Sequence, residues 1–265
     1  MKIVSWNINS LRLRIDLIRK FVKDFQPDVV CLQETKVANN EFPLLEIKRL
    51  GFEFVEFDGE KSYNGVAILS KFPMSNINKF DILNYGHKRH ISAQIESPVG
   101  AINLHNFYVP AGGDIADASL NPKFDHKLKF VDWMSEYFHK NKSSNTIILG
   151  DFNIAPSPFD VWSHKQLLNV VSHTPVEVEK LSNLQLLGNF VDSHRAMASD
   201  NDKLYSWWSY RALKPFESNR GRRLDHIWIE AGAKNMLREA RIYKNFRTEN
   251  NPSDHVPISI LLERC

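Results

Sequence analysis

The sequence is divided by short polar islands, each of which follows an apolar run typical of a buried β-strand. The islands begin at Ser5, Leu32, Asn106, Ile148, Arg222 and Ser253, and they read SWNINS, LQETK, NFYVP, ILGDFN, RRLDHIW and SDHVP. Polar side chains that follow buried strands can converge on one rim of a sheet. Carboxylates, carboxamides, a tyrosine and a histidine at such a rim suit metal-assisted phosphoryl chemistry. We therefore expect an α/β fold whose candidate site is assembled from distant segments.

The length and the cysteine content narrow the class of protein. With 265 residues, of which 43% are hydrophobic, the chain can bury a large core, and we expect one domain over 1–265. Cys31 and Cys265 have no CxxC spacing and no clustered histidines, which argues against a zinc cluster or a disulfide framework. The N-terminus lacks a signal-peptide layout and no apolar run approaches roughly 18 residues. We expect a soluble protein, by default a monomer, in a bacterial cytoplasm and without membrane contact.

Hydrophobic periodicity predicts more strands than helices. Ser10 is expected to cap a helix over 11–25, whose apolar stripe includes Leu13, and a second helix is expected over 123–139. Helical patterning returns between Pro158 and Leu187. Because many strands follow one another directly, two packed sheets flanked by helices fit better than a purely alternating βαβ sheet. The predicted strands are 2–6, 28–32, 54–57, 65–70, 91–96, 101–107, 146–149, 224–230 and 257–262.

Two islands carry acidic residues directly after strands. Gly150 permits a tight turn, and Asp151 and Asn153 lie two residues apart on one side of an extended chain. An acid there can hold an attacking water while the amide binds a phosphate oxygen; the alternative is a plain Asx turn. Glu34, with Lys36 close by, suits Mg²⁺, which takes one or two carboxylates and keeps several waters. An exposed glutamate ahead of a helix is the competing interpretation of Glu34.

The last island carries a candidate catalytic histidine. Asp254 and His255 lie between a polar loop and the last strand, and Pro257 keeps that loop out of a helix. A histidine that contacts phosphate needs a carboxylate behind it to fix its tautomer and keep it cationic, and Asp225 is a candidate partner. A lone histidine is more often structural, but this one has two candidate acids in a chain that also carries GDFN and QET.

Neutral polar residues also stand at predicted strand ends. Tyr108 ends a strand with its hydroxyl available for a non-bridging phosphate oxygen, unless it is a core tyrosine. Asn7 and Asn9 alternate at the end of the first strand and can face the same ion or phosphate, or can cap a turn.

Basic and aromatic residues are concentrated near the C-terminal end. Between 203 and 247, eleven Lys or Arg stand against four Asp or Glu, a local net charge of +7 in a chain whose total is +3. Aromatic rings that stack on bases or sugars, set among cations that bind phosphates, are typical of a nucleic-acid surface. The alternatives are a solvated charged face and core tryptophans. The interleaved residues are Trp207, Trp208, Tyr210 and Phe216 with Arg211, Lys214, Arg220, Arg222 and Arg223.

Taken together and in order, SWNINSLRLR, QETK, NFYVP, GDFN, WWSYR, RRLDH and SDHVP resemble the exonuclease III family of DNA-repair nucleases, which includes apurinic/apyrimidinic endonucleases. The resemblance spans nearly the whole chain, from Ser5 to Pro257. It implies a four-layered α/β sandwich and dependence on Mg²⁺ or Mn²⁺. It also implies cleavage of the phosphodiester 5′ to an abasic site in duplex DNA, together with trimming of 3′ ends.

The same resemblance implies roles for individual residues. The residues implied to lie at or near the metal are Glu34, Asn7, Asp254, Asp151 and Asn153. Those implied to act on water or phosphate are Asp151, which would orient or deprotonate the water, Asn153 and Tyr108, which would hold the phosphate, and His255, oriented by Asp225. Those implied to contact DNA are Asn9, Lys36, Trp207, Trp208, Arg211, Arg222 and Leu224.

Three positions depart from the family pattern. Asn9 stands where some relatives have Asp, Ala111 where many have Asn, and Arg222 where several have Trp, which makes the predicted sugar pocket more polar. The competing enzyme is another member of the wider endonuclease/exonuclease/phosphatase superfamily that acts on RNA or a phospholipid headgroup. A catalytically dead DNA-binding module would require the loss of Glu34, Asp151 or His255, and all three are present.

Overall fold

The computed structural model describes residues 1–211 and 214–264, and its strands form two six-stranded sheets. The strands are β1 Lys2–Asn7, β2 Val29–Gln33, β3 Phe54–Glu60, β4 Tyr63–Ser70, β5 Met74–Asn78, β6 His90–Ser97, β7 Gly100–Tyr108, β8 Thr146–Asp151, β9 Phe190–Asp192, β10 Asp225–Glu230, β11 Leu237–Ile242 and β12 Ile258–Leu262. The first sheet has the order β11, β12, β1, β2, β4, β3, and the second has the order β5, β6, β7, β8, β10, β9. The helices are α1 Ile15–Phe25, α2 Leu44–Arg49, α3 Pro122–Lys140, α4 His164–Leu167, α5 Pro175–Leu187, α6 Ser193–Ala196 and α7 Pro215–Ser218.

The two sheets pack face to face, with helices on their outer faces. Alternation along β1 places Ile3 in the cluster between the sheets and Val4 in the cluster under α1. On the other side, Phe130 of α3 and Leu181 of α5 pack with Trp228 of the second sheet. These layers confirm the predicted four-layered sandwich, since each sheet buries one face against its partner and the other against helices.

The strand directions bring the polar islands to one rim. β1 runs parallel to β2, and β7 runs parallel to β8, so each pair ends on one side of its sheet. β10 is antiparallel to β8, and its first residue, Asp225, lies opposite Asp151, the last residue of β8. Contacts between β1 and β8 join the two sheets. The rim therefore collects side chains that are more than a hundred residues apart in the sequence.

The first helix begins later than the sequence predicted. It starts at Ile15, Ser10 has a left-handed φ of 90° and does not cap it, and Leu13 is 60% exposed. The reason lies in the backbone of the preceding loop, because the amide of Ser10 donates to the carbonyl of Glu34 and that of Leu11 to the carbonyl of Thr35. These bonds hold residues 8–11 against the loop after β2, so the segment cannot also wind into a helical turn.

Other differences concern short or polar elements. Strands β5, β9 and β11 were not predicted, because none of them is the long apolar run that marks a buried strand. The helical region predicted between Pro158 and Leu187 is broken, and its longest helix is α5, where Thr174 and Glu177 form a capping box. Cys31 is buried and unpaired, while Cys265 lies outside the described residues. No helix within 1–211 or 214–264 is long and apolar enough to cross a membrane.

Candidate active site

A cavity of about 530 Å³ opens at the rim where the strand ends meet. Carboxylates and other polar groups lie at its base, and the basic aromatic segment forms one wall. This arrangement brings most of the predicted site residues into a single depression. The predicted residues that line the cavity are Glu34, Tyr108, Asp151, Asn153, Trp207, Arg211, Arg222, Leu224, Asp254 and His255.

Asn7 lies at the base of the site and joins its two main carboxylates. Its amide nitrogen donates to Oε1 of Glu34 at 2.9 Å and to Oδ2 of Asp151 at 2.9 Å. Its amide oxygen accepts the backbone N–H of Asn9 at 3.1 Å. Asn7 therefore lies beside both predicted metal-binding carboxylates, which agrees with its predicted place at or near the metal, and its amide oxygen keeps a second lone pair. Asn7 also fixes the distance between two carboxylates that can share an ion.

Asp151 is almost completely buried and is surrounded by donors. The backbone N–H of Asn153 donates to Oδ1 at 2.9 Å, and its side-chain amide donates to Oδ2 at 3.1 Å. This contact requires a left-handed φ of 54° at Asn153 rather than the extended chain that the sequence suggested. Burial raises the pKa of Asp151 to about 7, against the opposing effect of His255. A carboxylate that titrates near neutrality is suited to act as a general base.

Glu34 stands directly after β2 in a left-handed conformation, with a φ of 51°. Lys36, which shares that conformation, places its ammonium 2.8 Å from Oε2 of Glu34. Burial alone would raise the pKa of Glu34, but Lys36 and the Asn7 amide outweigh burial and lower it. Glu34 is therefore ionised at neutral pH. Non-glycine residues in this region of backbone space cost about 1–3 kcal/mol and cluster at functional sites.

His255 and Asp225 form a buried hydrogen-bonded pair. The Nδ1 atom of His255 lies 2.8 Å from Oδ2 of Asp225, and its Nε2 atom lies 3.7 Å from Oδ2 of Asp151. Ser206 donates its hydroxyl to the same Asp225 oxygen at 2.6 Å. Burial alone would lower the pKa of His255, but Asp225, Asp151 and Asp254 outweigh burial and raise it to about 10. His255 is therefore cationic at neutral pH, with Nε2 directed toward Asp151.

Tyr108 closes another side of the cavity. Its side chain is buried beside Glu34, and burial raises the pKa of Tyr108 well above its usual range, so the hydroxyl keeps its proton. The guanidinium of Arg89 lies 4.5 Å from the centre of the Tyr108 ring and donates to the Tyr108 carbonyl at 3.2 Å. Tyr108 is thus held in place as a neutral donor at the cavity surface.

A chain of hydrogen bonds connects the loops beside the site. Lys36 donates to the Asn9 oxygen at 2.6 Å, and the Asn9 amide donates to Oδ1 of Asp254 at 3.0 Å. The indole N–H of Trp207 donates to Oδ2 of Asp254 at 3.0 Å. Asp254 therefore positions Trp207 and Asn9, and because each carboxylate oxygen keeps a further lone pair, these hydrogen bonds leave the predicted place of Asp254 beside the metal open.

The two adjacent tryptophans have different environments. Trp207 is half-buried and lines the cavity together with Leu224. Trp208 is 1% exposed and packs in the core under the first sheet, so the prediction that its side chain contacts DNA is wrong. Consecutive residues in an extended segment point to opposite sides, which is why only one of the two can face the cavity.

Part of the predicted basic surface is internal. Arg223 is buried and pairs with Asp160 at 2.8 Å and with Asp192 at 2.6 Å. Arg247 is also buried and donates to backbone carbonyls. Arg211, in contrast, is exposed at the edge of the cavity. The local charge excess therefore overstates the positive charge that is available to a nucleic acid.

Acidic groups in the cavity can hold a cation. Asp151, Asp225 and His255 place one candidate ligand atom each within 4.8 Å of one another. A cationic His255 that is hydrogen-bonded to Asp225 is a poor metal ligand, since coordination needs a neutral imidazole. The carboxylates of Glu34 and Asp151, bridged by Asn7, are hard oxygen donors facing open space, which fits Mg²⁺ or Mn²⁺ better than a soft metal.

Three supporting residues were missed in the sequence. Ser206 holds Asp225, and Arg89 holds Tyr108, as described above. Lys127 is fully buried, and its ammonium lies 2.8 Å from the Asn153 carbonyl and 2.5 Å from Oε1 of Glu177. None of them belongs to a polar island after an apolar run, and helix patterning treats a lysine as solvent-facing. The one sequence feature that could have indicated Ser206 is its position directly before Trp207 and Trp208.

The chain matches a known protein family over almost its full length. The model of the Endonuclease/Exonuclease/phosphatase family aligns with residues 4–255. This match includes the first five polar islands in full and the last one as far as His255, and it agrees with the two-sheet fold and the carboxylate-rich rim. The chain therefore belongs to this family of phosphoester-cleaving enzymes.

Full-length relatives narrow the assignment. Exodeoxyribonuclease III of Haemophilus influenzae is 34% identical and aligns over 97% of this chain and 98% of its own. Among solved structures, an AP endonuclease from Archaeoglobus fulgidus has a TM-score of 0.91 and 30% identity, with 99% of each chain covered. A 3′ phosphatase from Neisseria, bound to a product DNA hairpin, has a TM-score of 0.91 and 28% identity, also with 99% of each chain covered. Within the family, the chain groups with exonuclease III and the AP endonucleases.

Proposed function

We propose that this chain is a metal-dependent DNA-repair nuclease of the exonuclease III type. It would hydrolyse the phosphodiester 5′ to an abasic site and remove nucleotides or blocking groups from 3′ ends of duplex DNA. The observation that carries this proposal is the trio of Asp151, His255 and Glu34 around one cavity. In this trio a carboxylate with a pKa of about 7 faces a cationic imidazole and an ionised metal-binding acid.

The metal is proposed to be Mg²⁺ or Mn²⁺, held by Glu34 together with Asp151, with Asn153 and Asp254 close by. When bound, it would neutralise charge on the scissile phosphate and on the oxygen that leaves. Asn7 contributes by holding both carboxylates through one amide nitrogen. Lys36 keeps Glu34 ionised, so that the carboxylate is ready for a cation.

We assign the hydrolysis of the phosphodiester to side chains that lie together at the base of the cavity. Asp151 orients a water and accepts its proton. Burial raises the pKa of Asp151 in the metal-free protein, and a bound cation would lower it and so keep the carboxylate ionised at neutral pH. His255, kept cationic by Asp225, donates from Nε2 to a non-bridging phosphate oxygen. Tyr108, whose hydroxyl keeps its proton, holds the phosphate from another side of the cavity. Asn153 donates its amide hydrogens to the Val109 carbonyl at 2.9 Å and to Oδ2 of Asp151 at 3.1 Å, so its proposed role is to position Asp151. These donors are fixed before the substrate arrives, so little reorganisation accompanies the development of charge.

The DNA-binding surface is proposed to extend from the cavity wall. Trp207, Leu224 and Arg222 would face the sugar, while Arg211, Lys36 and Asn9 would contact the strands. Removal of Trp208 from this set leaves one ring, that of Trp207, to stack on the sugar. The Neisseria relative with a product DNA hairpin supports a DNA duplex as the partner. We propose a monomer, and a bacterial cytoplasmic location is supported by the bacterial relative.

A phosphodiesterase acting on RNA or a phospholipid headgroup is the second candidate. Asp151, His255 and Glu34 do not distinguish DNA from RNA or a phospholipid headgroup, because the three residues can act on any phosphodiester. The exposed Arg211 beside the half-buried Trp207 favours a nucleic-acid duplex over a lipid headgroup.

Incision of an end-labelled duplex with one internal tetrahydrofuran abasic analogue tests the proposal. With Mg²⁺, we expect a single cut 5′ to the analogue, and no cut when EDTA removes the ion. The undamaged duplex is the matched control and should show only shortening from its 3′ ends. Cleavage of RNA or of a phosphoinositide, with the abasic duplex left intact, would favour the second candidate. Incision at an undiminished rate in EDTA would contradict the assigned role of the metal.

A further inference from the structure

Arg222 carries a positive charge in the cavity wall without an acidic partner. Its Nη1 atom donates to the Val171 carbonyl at 3.0 Å and to the Ser172 hydroxyl at 2.6 Å, which are neutral acceptors. Its Nε atom is buried and has no hydrogen-bond partner among the described residues. Burial lowers the pKa of Arg222, which is the effect expected of a charge removed from water.

The acid that acts on Arg222 is itself paired with another cation. Glu177 is the acid whose charge favours the Arg222 cation, but it is fully buried and already pairs with Lys127 at 2.5 Å. Its oxygens also accept hydrogen bonds from Ser172 and Thr174. The next residue along the chain, Arg223, has two carboxylate partners. Within 1–211 and 214–264, Arg222 has no salt bridge, and a half-buried cation in this state favours an anionic ligand.

The position of Arg222 is fixed by its backbone. The amide of Arg222 donates to the Trp207 carbonyl at 3.0 Å, and that of Trp207 donates to the Arg222 carbonyl at 2.9 Å. The guanidinium lies 5.5 Å from the centre of the Trp207 ring. Both side chains line the same cavity as Asp151 and His255. The cation therefore faces the space next to the catalytic centre, on the side of Trp207 and Leu224.

We propose that Arg222 makes this wall an anion subsite, which selects 3′-blocked DNA ends whose terminal phosphate carries a carboxylate, such as a glycolate ester. The inference rests on the proposed function, and it assigns a substrate preference to this one side chain. In the step concerned, the water oxygen bonds to phosphorus and the bond between phosphorus and the DNA 3′ oxygen breaks. The 3′ oxygen takes up a proton, and the released phosphate keeps its glycolate. The carboxylate stays on the side of Trp207, where Arg222 can bind it.

The test compares two 3′-blocked duplexes that differ in one charge. One carries a 3′-phosphoglycolate, and the other carries the 2-hydroxyethyl phosphate ester, which is nearly the same size and lacks the carboxylate. We expect the wild-type protein to have the higher kcat/KM on the glycolate, and Arg222→Met to reduce that ratio about tenfold, the effect of one charge-assisted hydrogen bond. Because each protein is compared with itself, a general loss of activity cancels from the ratio.

Two further variants serve as controls for the effect of Arg222→Met on the kcat/KM ratio. Arg211→Met removes an exposed cation from the same cavity and should lower both kcat/KM values together, which leaves the ratio unchanged. Arg222→Gln retains a donor for the Val171 carbonyl, so it serves if Arg222→Met does not fold, and it should lose the same preference. A ratio near one in the wild type, or an unchanged ratio in both Arg222 variants, would overturn the inference. If the wild type also failed to cut the tetrahydrofuran duplex with Mg²⁺, the proposed function itself would be wrong.

Discussion

Asp151→Asn is expected to lower the rate of DNA cleavage by about 10³–10⁴, at the upper end of what a general base contributes. The substitution keeps the shape of the side chain and removes its ability to accept a proton from water. It also leaves an amide facing donors from Asn7 and Asn153, which at present hydrogen-bond to both carboxylate oxygens. Single-turnover cleavage of the abasic duplex measures this loss directly.

DNA affinity should change little in the same variant, because Asp151 lies at the base of the cavity and the proposed DNA contacts lie on its wall. Asp117→Asn, in an exposed loop, is the matched control and should cleave at the wild-type rate. In the wild type, the rate should rise with pH through the acid range, since Asp151 must lose its proton to act as a base. A bound divalent ion moves that rise to lower pH. A loss of binding in proportion to the loss of cleavage would contradict the role assigned to Asp151.

His255→Gln is expected to lower the cleavage rate by about 10²–10³, the usual cost of removing one preorganised donor to a developing oxyanion. Glutamine can still donate a hydrogen bond, but it carries no charge. Asp225→Asn should give a smaller loss, because the imidazole remains while its strongest acidic partner is gone. Comparison of the two variants separates what the positive charge of His255 contributes to the cleavage rate from what its imidazole ring contributes.

The charge on His255 can be measured without turnover. Nitrogen NMR of the metal-free protein should show both imidazole nitrogens protonated from pH 6 to pH 9, since Asp225 and its neighbours raise the pKa to about 10. In Asp225→Asn, deprotonation should move into that range. A wild-type His255 that titrates near its ordinary value of about 6.5 would show that the Asp225 contact does not keep the ring cationic.

The site could be predicted from the sequence wherever a residue follows an apolar strand. Asp151, Glu34 and His255 each stand in a polar island, and the parallel pairing of β1 with β2 and of β7 with β8 carries such islands to one rim. Strand periodicity therefore identified these three residues as ones that lie together at the rim of the sheets. It also supported two packed sheets, because directly successive strands exclude an alternating α/β pattern.

What could not be predicted depends on tertiary contacts. The left-handed backbone of Glu34 and Lys36 has no local signal, since neither residue type favours that conformation. Whether Trp207 or Trp208 would face the cavity depended on the phase of one short segment. The side-chain patterning of residues 11–14 suits a helix, but the backbone bonds from Ser10 and Leu11 to the loop after β2 prevent it. These features belong to the interactions between segments rather than to any one segment.

Hydrolysis in ¹⁸O-labelled water tests the central claim most directly, namely that water attacks the phosphorus atom and that the 3′ oxygen leaves. The abasic duplex is cleaved with Mg²⁺ under single-turnover conditions, and the masses of both fragments are measured by mass spectrometry. The account predicts one ¹⁸O atom in the 5′-phosphate of the abasic fragment and an unlabelled 3′-hydroxyl on the other fragment. An unlabelled phosphate, or an unsaturated sugar at the cut from an elimination reaction, would contradict it.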